Sequence, residues 1–507
     1  MPVEPAFDVF EQRFGAGEAQ CLAMRLVADL ETPVSAYLKL KALAGTGPSF
    51  LLESVEGGAV RGRYSIIGLL PDLTWRCAGD RTEITRGGKT ETLAGKPLDT
   101  LRALLAESRI PHLAGLPPMA SGVFGFLGYD MVRQMERLGP AKVDPIGVPD
   151  ALMIRPTVLV VFDAVKDEII VMTPVFPKPG VLAKAAYEAA TDRLNMVVAA
   201  LDAPLIHLGA PADPDARLPQ TVSNTTPDEY RAMVAQAKEY ILAGDIFQVV
   251  LSQRFSTPFD LDAFSLYRAL RRVNPSPYLC YLDFAEFQIV CSSPEILVKV
   301  VDDQKGGKKV TIRPIAGTRP RGATPADDKR LEEELLDDPK ERAEHLMLLD
   351  LGRNDVGRVS EIGSAEVTDS YFVERYSQVM HIVSNVEGRL DPRFDVIDAL
   401  AAGFPAGTVS GAPKIRAMQI IDELEKDKRG AYAGAIGYFG ADGAMDTCIV
   451  LRTAVVKDGV MHVQAGAGIV HDSDPASEQA ECENKAKALF RAAEEAVRFA
   501  SRGKRGQ

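Results

Sequence analysis

The 507-residue sequence lacks the features of an exported, membrane-spanning or nucleic-acid-wrapping protein. Its best apolar run, TVLVVF at 157–162, is far shorter than the roughly 18–20 residues that cross a bilayer. The N-terminus has no basic start followed by an apolar stretch, so no signal peptide is predicted. Acidic residues outnumber basic ones by 70 to 58, which disfavours a main role in wrapping nucleic acid. We therefore expect a soluble, cytoplasmic protein with no membrane partner and no nucleic-acid partner.

Metal-binding and disulfide patterns are scarce as well. The six cysteines show no C-x-x-C spacing and the six histidines form no i,i+4 pair, so no zinc site is predicted. Without a secretory signal, we expect the thiols to be reduced and mostly buried. The remaining composition, 46% hydrophobic and 25% charged, is typical of a globular enzyme.

A proline-rich segment divides the chain. Residues 203–227 hold five prolines among small and polar residues, which indicates a linker or a long surface loop. We predict an N-terminal region at 1–202, a C-terminal region at 228–500 and a frayed tail at 501–507. Hairpin patterns outnumber clean βαβ units, so the sequence favours a mixed α+β fold with antiparallel sheets.

Two glutamate pairs are the first candidates for chemistry. Asp-Pro dipeptides at 338–339 and 474–475 are typical helix starts, and each predicted helix carries two glutamates three residues apart. The pairs are Glu341 with Glu344 and Glu478 with Glu481. Four carboxylates brought together would repel one another, and a hard cation such as Mg²⁺ would relieve that repulsion. The alternative is that both pairs lie on solvated helix faces.

Glycine-rich segments could receive an anion. Segments 315–322, 405–421 and 463–470 are predicted to be turns in which backbone N–H groups can approach a ligand, although each could be an ordinary turn. Arg452 interrupts an apolar strand and needs an anionic partner, either a structural carboxylate or a substrate carboxylate.

Two further residues suit proton transfer. His381 interrupts an apolar β-like run and is either a hydrogen-bonded core residue or a catalyst. Glu295 ends a strand and is either a general acid, if desolvated, or part of a surface salt bridge. Together these residues indicate a site for a small dianionic molecule with Mg²⁺ in the C-terminal half.

Nine ordered motifs of this chain resemble those of the chorismate-utilising enzymes, and among them the large subunits of anthranilate synthases. They are SSPE (292–295), PIAGTRPRG (314–322), EHLMLLDLGRND (344–355), HIVSNVEG (381–388), PAGTVSGAPK (405–414), YAGAIGYF (432–439), LRTA (451–454), AGAGIV (465–470) and SEQAECENKAKA (477–488). LLES (51–54), GRYSIIG (62–68) and GFLGYD (125–130) extend the resemblance over almost the whole chain. The resemblance implies two orthogonal antiparallel β-sheets sandwiched by helices.

The resemblance also implies roles for single residues. Glu344 and Glu481 would hold Mg²⁺, with Glu341 and Glu478 as further direct or water-mediated ligands. Chorismate would be received by Gly317, Thr318, Tyr432, Arg452, Gly466, Ala467 and Gly468. Glu295 would be the general acid for the departing C4 hydroxyl, while His381 and Thr408 would flank the ring and His381 would assist pyruvate elimination.

Two positions select a branch of the family. Relatives that form isochorismate or salicylate carry a lysine where this chain has Gln248, so ammonia rather than water is the expected nucleophile. Aminodeoxychorismate synthases of the usual type carry a nucleophilic lysine where this chain has Ala316. The resemblance therefore implies amination at C2 and pyruvate elimination to anthranilate, the first step of tryptophan biosynthesis. An aminodeoxychorismate synthase lacking the usual lysine is the nearest rival.

A regulatory site is implied in the N-terminal half. LLES and NPSPYL (274–279) resemble a feedback site for L-tryptophan, with Leu279 in place of a methionine found in some relatives. The implicated residues are Ser54, Pro277, Tyr278 and Leu279, with Glu53 and Asn274. From the residues alone, LLES would be a strand end and NPSP a turn. A tryptophan-sensing binding protein with an inactive catalytic half is a further rival.

No glutaminase pattern is present, since the chain lacks a glycine-flanked nucleophilic cysteine followed by His-x-Glu. We therefore expect a separate glutamine amidotransferase subunit that supplies ammonia, in a heterotetramer with two copies of each chain.

Overall fold

A computed structural model of the chain describes residues 2–56, 60–111, 113, 115–205, 218, 220–303, 306–376 and 379–501. Residues 206–217 and 219 of the predicted linker, and 502–507 of the predicted tail, lie outside the described residues. The predicted domain boundary therefore stays a prediction.

Helices begin where the sequence provides caps and prolines. Thr226 and Glu229 form a reciprocal capping box, and Pro227 occupies the first turn of the helix that follows. The helices are α1 (Phe7–Gly15), α2 (Pro33–Ala44), α3 (Pro97–Glu107), α4 (Ala183–Asp202), α5 (Pro227–Leu242), α6 (Ala263–Val273), α7 (Pro325–Asp337), α8 (Pro339–Gly357), α9 (Val396–Gly403), α10 (Gly407–Ser410), α11 (Lys414–Leu424) and α12 (Pro475–Ser501), with a 3₁₀ helix at Tyr129–Gln134.

The strands alternate with these helices and pair in antiparallel ladders. They are β1 (Gln20–Val27), β2 (Ser49–Glu56), β3 (Val60–Ala78), β4 (Arg81–Arg86), β5 (Lys89–Leu93), β6 (Gly122–Leu127), β7 (Ala151–Asp163), β8 (Glu168–Val175), β9 (Val222–Ser223), β10 (Gln248–Pro258), β11 (Tyr278–Asp283), β12 (Gln288–Ser293), β13 (Ile296–Asp302), β14 (Lys308–Ile312), β15 (Ile315–Pro320), β16 (Glu366–Arg375), β17 (Val379–Arg389), β18 (Gly411–Ala412), β19 (Ala435–Gly440), β20 (Met445–Ile449), β21 (Thr453–Lys457) and β22 (Val460–Ile469). β13 and β14 pair antiparallel, with Val300 opposite Val310, as expected where hairpin patterns are frequent.

Three hydrophobic clusters show a sandwich of two helical layers and two strand layers. Among the described residues, the buried members of the middle cluster come only from strands and loops, for example Phe50, Phe124 and Ile289. In one outer cluster, α3, α5, α9 and α11 pack against strands. In the other, α1, α2, α4 and α6 pack against strands. The middle cluster is therefore the layer where the strand faces meet, which confirms the predicted α+β class.

Long strands connect the two strand layers. In β3, Ile67 and Leu69 contact one outer cluster, whereas Leu73 and Trp75 contact the other. The strand changes layers at a register shift between Pro71 and Leu73. Strands that switch sheets at such irregularities form the corners of orthogonal sheet packings. The sheets are accordingly linked in one hydrogen-bonded network.

Strands from the N-terminal and C-terminal halves are neighbours in these sheets. β2 pairs with β11, and β6 pairs with β19. All six cysteines are free and buried, as predicted. None of the helices in the described part of the chain combines the length and the hydropathy that a bilayer crossing requires.

Candidate active site

The two glutamate helices begin at the predicted residues. The Asp338 carboxylate accepts hydrogen bonds from the backbone N–H of Lys340, at 2.9 Å, and of Glu341, at 3.3 Å. At the start of α12, the Asp474 carboxylate accepts a hydrogen bond of 2.9 Å from the N–H of Ser477. Both Asp-Pro dipeptides therefore act as cap and first helical residue, and they fix the direction in which each glutamate pair points.

The glutamates of α8 and α12 lie close enough to influence one another's pKa. Burial raises the pKa of Glu344, and the negative charges of Glu341 and Glu481 raise it further. Burial likewise raises the pKa of Glu478, with a further contribution from Glu481. Gln248 on β10 donates from Nε2 to Glu344 Oε1 at 3.3 Å. A cation placed between the two helices would relieve this repulsion.

Two of the four carboxylates are paired with basic side chains. Arg319 donates to Glu341 Oε1 at 2.9 Å, and Lys485 Nζ lies 2.7 Å from Glu481 Oε1. Among the described residues, no three of these glutamates bring one oxygen each within 4.8 Å of one another. The arrangement therefore offsets part of the negative charge with Arg319 and Lys485.

Glu295 is a buried carboxyl between β12 and β13. Only 6% of the residue is exposed, and burial raises its pKa to about 8. Thr408 Oγ1 donates to both carboxyl oxygens, at 3.1 and 3.2 Å, which lowers this pKa because it favours the charged form. A surface salt bridge, the alternative for this residue, is thereby excluded. Glu295 is protonated at neutral pH and can donate a proton.

His381 on β17 lies opposite Thr318 of β15. Its Nδ1 is 3.0 Å from the carbonyl oxygen of Gly317, so Nδ1–H is the donor and Nε2 carries the lone pair. Burial lowers the pKa of His381 to about 4, and the ring of Tyr376 packs against it at 5.5 Å between centroids. The imidazole is therefore neutral at pH 7 and can accept a proton at Nε2.

Arg452 does not lie within a continuous strand as predicted. β20 ends at Ile449 and β21 begins at Thr453, and Arg452 between them has a φ of +47°. In the described part of the chain no carboxylate lies within 4.0 Å of its guanidinium, although the charge of Glu295 is close enough to influence it. Burial lowers the pKa of Arg452. Of the two predicted partners, the absence of a structural carboxylate favours a carboxylate of a ligand.

Two of the three segments predicted to be turns are strands. Residues 463–469 belong to β22 and pair with β10, with Gly466 opposite Ser252 and Gly468 opposite Val250. A Cβ on Gly466 would lie 2.8 Å from the Tyr432 hydroxyl, and one on Gly468 would lie 2.7 Å from Gln248 Nε2. These glycines therefore permit close approach of side chains to a strand instead of forming a turn.

The other misassigned segment is β15. Gly317 lies at a register shift between Ala316 and Thr318 and has a φ of +72°. A Cβ at this position would lie 3.2 Å from Glu341 Oε2, so the backbone passes directly beside the α8 glutamates. The third segment, at 405–421, does contain a short helix, α10, whose Thr408 contacts Glu295.

The implied tryptophan-site residues cluster on adjacent strands. Ser54 of β2 lies opposite Tyr278 of β11, and Glu53 lies opposite Leu279. Glu53 is buried and accepts hydrogen bonds from Arg271 at 2.9 Å and from the Tyr267 hydroxyl at 2.5 Å. Pro277 immediately precedes β11.

Asn274 connects this cluster with the neighbourhood of Arg452. The Ser292 hydroxyl donates to the Asn274 carbonyl oxygen at 2.5 Å, and the Ser292 N–H donates to the Arg452 carbonyl oxygen at 3.2 Å. Ser292 therefore links Asn274 of the implied tryptophan site to Arg452 through two hydrogen bonds.

The family is shown by comparison with known proteins. A family model described as chorismate binding enzyme matches residues 49–491. The chain belongs to the chorismate-binding enzyme family. Anthranilate synthase component 1 of Cereibacter sphaeroides is 53% identical over 510 residues, which cover 99% of this chain and 100% of that protein. The protein of the same name from Pseudomonas putida is 48% identical over 93% of this chain and 94% of its own length. This family member is an enzyme of the anthranilate synthase component I type.

Solved structures agree with this assignment. Anthranilate synthase component I from Streptococcus pneumoniae superposes with a TM-score of 0.75 and 39% identity, over 92% of this chain and 99% of that one. A menaquinone-specific isochorismate synthase from Escherichia coli gives a TM-score of 0.70 at 20% identity, over 96% of this chain and 98% of that one, and shares the fold.

Sequence reasoning missed two residues beside the candidate site, Lys485 and Tyr376, and included Arg319 only as part of the segment 315–322. Lys485 donates to the Gly466 carbonyl oxygen at 3.0 Å besides its contact with Glu481, and the i,i+4 spacing of the two residues could have indicated their pairing. Arg319 and Tyr376 are brought in by strand pairing and loop packing, for which the sequence carries no local signal.

Two cavities of the described chain lie away from these residues. One, of about 780 Å³, is lined by Arg109, Leu116 and Ala441 among others, and one of about 390 Å³ by Arg102, Glu136 and Arg358 among others. Neither contains a candidate site residue. The candidate residues Glu295 and Thr408 instead line a third, smaller cavity.

Proposed function

We propose that this enzyme aminates chorismate at C2 with ammonia and then eliminates pyruvate to form anthranilate. The observation that carries the proposal is the pair of Glu295 and Arg452, a buried acid with a pKa of about 8 and a guanidinium without a carboxylate partner among the described residues. A neutral acid next to a free cation suits a reaction that protonates a leaving hydroxyl on an anionic substrate.

The chain's residues suggest an order of proton transfers. Arg452 binds the enolpyruvyl carboxylate of chorismate, and Glu295 protonates the C4 hydroxyl, which leaves as water while ammonia adds at C2. The neutral His381 accepts the C2 proton at Nε2, and the bond between the ring and the enolpyruvyl oxygen breaks. The enolate that leaves takes up that proton at its methylene carbon and becomes pyruvate. Nδ1–H of His381 donates to Gly317, which keeps the accepting nitrogen free.

Gln248 and Ala316 support amination as the chemistry. A lysine at the first position would activate water, and a lysine at the second would form a covalent adduct with the ring. This chain has neither amine, and Gln248 Oε1 is buried without a hydrogen-bond partner in the described structure. Unlike a lysine amine, an amide cannot act as the base that activates water. Added ammonia is therefore the available nucleophile.

We further propose Mg²⁺ as the cofactor, held by Glu344 and Glu481 with Glu341 and Glu478 as direct or water-mediated ligands. The donor set fits, because all four groups are carboxylates, and burial together with the charges of neighbouring glutamates raises the pKa of Glu344 and Glu478. When bound, the ion supplies a positive charge that neutralises the ring carboxylate of chorismate. Arg319 and Lys485 must then release Glu341 and Glu481, or these two must bind through water.

Ammonia is proposed to come from a separate glutamine amidotransferase subunit, in a heterotetramer of two copies of each chain. The component 1 name of the relatives supports the existence of a second component. Feedback inhibition by L-tryptophan is proposed at Ser54, Glu53, Asn274 and Pro277 to Leu279. It is supported by their adjacency on β2 and β11 and by the hydrogen bonds from Asn274 through Ser292 to Arg452.

The product of the purified chain tests this proposal. With chorismate, Mg²⁺ and an ammonium salt, we expect fluorescent anthranilate and pyruvate in equal amounts. Aminodeoxychorismate would indicate the rival synthase, and isochorismate would show that water is the nucleophile. Binding of tryptophan without any turnover would indicate a sensing protein.

A further inference from the structure

Arg429 and Glu425 form an ion pair in the interior of the enzyme. Only 2% of Arg429 and 5% of Glu425 are exposed. Arg429 donates from Nε to Glu425 Oε2 at 2.9 Å and from Nη2 to Oε1 at 2.6 Å, a two-point contact. A buried ion pair seldom stabilises a protein more than apolar residues of similar size would. The pair therefore needs an explanation other than stability.

The pair connects two segments that carry candidate catalytic residues. Arg429 donates to the carbonyl oxygens of Val409 and Val250, each at 2.7 Å. Val409 follows Thr408 in the short helix α10, and Val250 lies two residues after Gln248 in β10. Glu425 Oε1 accepts from both the N–H and the hydroxyl of Ser252, at 2.7 and 2.9 Å. The ion pair thus joins α10 to β10.

The same guanidinium also fixes Tyr432. Its Cζ lies 5.5 Å from the centroid of the Tyr432 ring and 4.7 Å from that of Tyr129, so it sits between two aromatic rings. The Tyr432 N–H donates to the Arg429 carbonyl oxygen at 3.2 Å. Tyr432 is 7% exposed, and its hydroxyl lies beside Gly466 of β22.

We propose that Arg429, oriented by Glu425, is a positioning residue that fixes Tyr432 and the Thr408 turn against β10. This inference rests on the proposed function, on the role in receiving chorismate that the resemblance implies for Tyr432, and on the contact of Thr408 with the acid Glu295. Lysine cannot replace the arginine here, because an ammonium has three N–H donors, whereas Arg429 makes four hydrogen bonds, two to Glu425 and one each to Val250 and Val409.

A double-mutant cycle on the KM for chorismate tests the inference. R429K and Y432F are measured singly and together in the ammonia-dependent reaction. Each single variant is expected to raise KM about tenfold, the change that corresponds to about 1.4 kcal/mol of lost binding. Arg429 acts on chorismate binding through Tyr432, whereas its effect through Thr408 and the acid Glu295 falls on kcat, so the double variant should show a KM close to that of Y432F alone.

Arg155 provides a matched control. Its buried guanidinium is paired with Asp72 at 2.7 Å and with Ser108 at 3.2 Å, in the N-terminal half and away from the candidate site residues. R155K should lower the melting temperature and leave KM unchanged. E425Q keeps an oxygen for Ser252 but removes the charge that orients Arg429, and it serves if R429K fails to fold. It should reproduce the rise in KM and the lack of additivity with Y432F.

The outcomes distinguish failure of the positioning role of Arg429 from failure of the proposed function. Equal KM values for R429K, R155K and the wild type, or effects of R429K and Y432F that multiply, would overturn the positioning role. Failure of the wild-type chain to form anthranilate would overturn the proposed function instead, before any variant is compared.

Discussion

At the scale of single residues, the site depends on groups whose ordinary ionisation is altered by burial. Glu295 is kept protonated, His381 is kept neutral, and Arg452 keeps a positive charge that no described carboxylate neutralises. Each shift has desolvation as its largest cause. For Glu295 and His381 the shift gives the protonation state that the proposed proton transfers need, whereas Arg452 stays charged although burial lowers its pKa. The sequence could predict the residue types but not their burial, which depends on distant strands.

The pH dependence of turnover tests Glu295. Because its pKa is raised to about 8, kcat at saturating ammonia should fall as pH rises through about 8 and the acid ionises. Thr408→Val removes the hydrogen bond that lowers this pKa, so the decline should move to higher pH, while Thr408→Ser should leave it in place. An unchanged profile in the valine variant, or full activity in Glu295→Gln, would remove Glu295 from the role of acid.

Substitution of Arg452 should change the binding of chorismate without lowering the stability of the protein. Arg452→Met removes an unpaired buried charge, so the melting temperature of the free enzyme should be unchanged or higher. The KM for chorismate should rise by roughly 10–100-fold, as expected for a lost charge-assisted hydrogen bond of about 1.5–3 kcal/mol. Arg254→Met is the control, since Arg254 is buried and paired with Asp427 at 2.7 Å. It should lose stability, and an Arg452 variant that behaves in the same way would indicate a structural role.

At the scale of elements, helix starts were predictable and glycine positions were not. Asp-Pro dipeptides and the capping box at Thr226 act locally, so α5, α8 and α12 begin where the sequence indicates. Glycines 317, 466 and 468 suited turns equally well, and only the side chains packed over β15 and β22 show why a strand carries them. The ion pairs of Arg319 and Lys485 likewise depend on which helix meets which strand.

Gly466→Ala tests the close approach over β22. The added Cβ would meet the Leu251 carbonyl oxygen and the Tyr432 hydroxyl, each at 2.8 Å, so overpacking should cost about 1–3 kcal/mol and displace Tyr432. We expect a lower melting temperature and a fall in kcat/KM of at least about tenfold. Gly357→Ala, where nothing lies within 4 Å, is the control and should behave as the wild type does. Equal kinetics in both variants would show that β22 tolerates a side chain facing Tyr432.

At the scale of the whole molecule, strands of the two halves meet in the same sheets, where β2 pairs with β11 and β6 with β19. This places the implied tryptophan residues of β2 beside β11, whose neighbour β12 leads directly to Glu295. A ligand at Ser54 is therefore separated from the catalytic residues by paired strands rather than by a flexible linker. The resemblance to a family could predict this proximity, whereas composition and periodicity could not.

Ser54→Phe tests the regulatory site. Its hydroxyl donates to the Tyr64 carbonyl oxygen at 3.3 Å and its side chain lies directly against Gly62 of β3, so a phenyl ring would crowd the strands around the implied tryptophan site. Inhibition of anthranilate formation by tryptophan should be lost, with the rate in the absence of tryptophan little changed. The melting temperature controls for damage to the sheet. If Ser54→Phe were inhibited at the same tryptophan concentration as the wild type, the regulatory site would lie elsewhere.

We propose that α8 and α12 share one magnesium ion, and the dependence of anthranilate formation on Mg²⁺ concentration tests this sharing. The rate is measured against Mg²⁺ concentration for the wild type, Glu344→Gln, Glu481→Gln and the exposed-helix control Glu333→Gln. We expect Glu344→Gln and Glu481→Gln each to need at least about tenfold more Mg²⁺ than the wild type for the half-maximal rate, while the control Glu333→Gln does not. Half-maximal concentrations equal to the wild-type value in either Glu344→Gln or Glu481→Gln would contradict it.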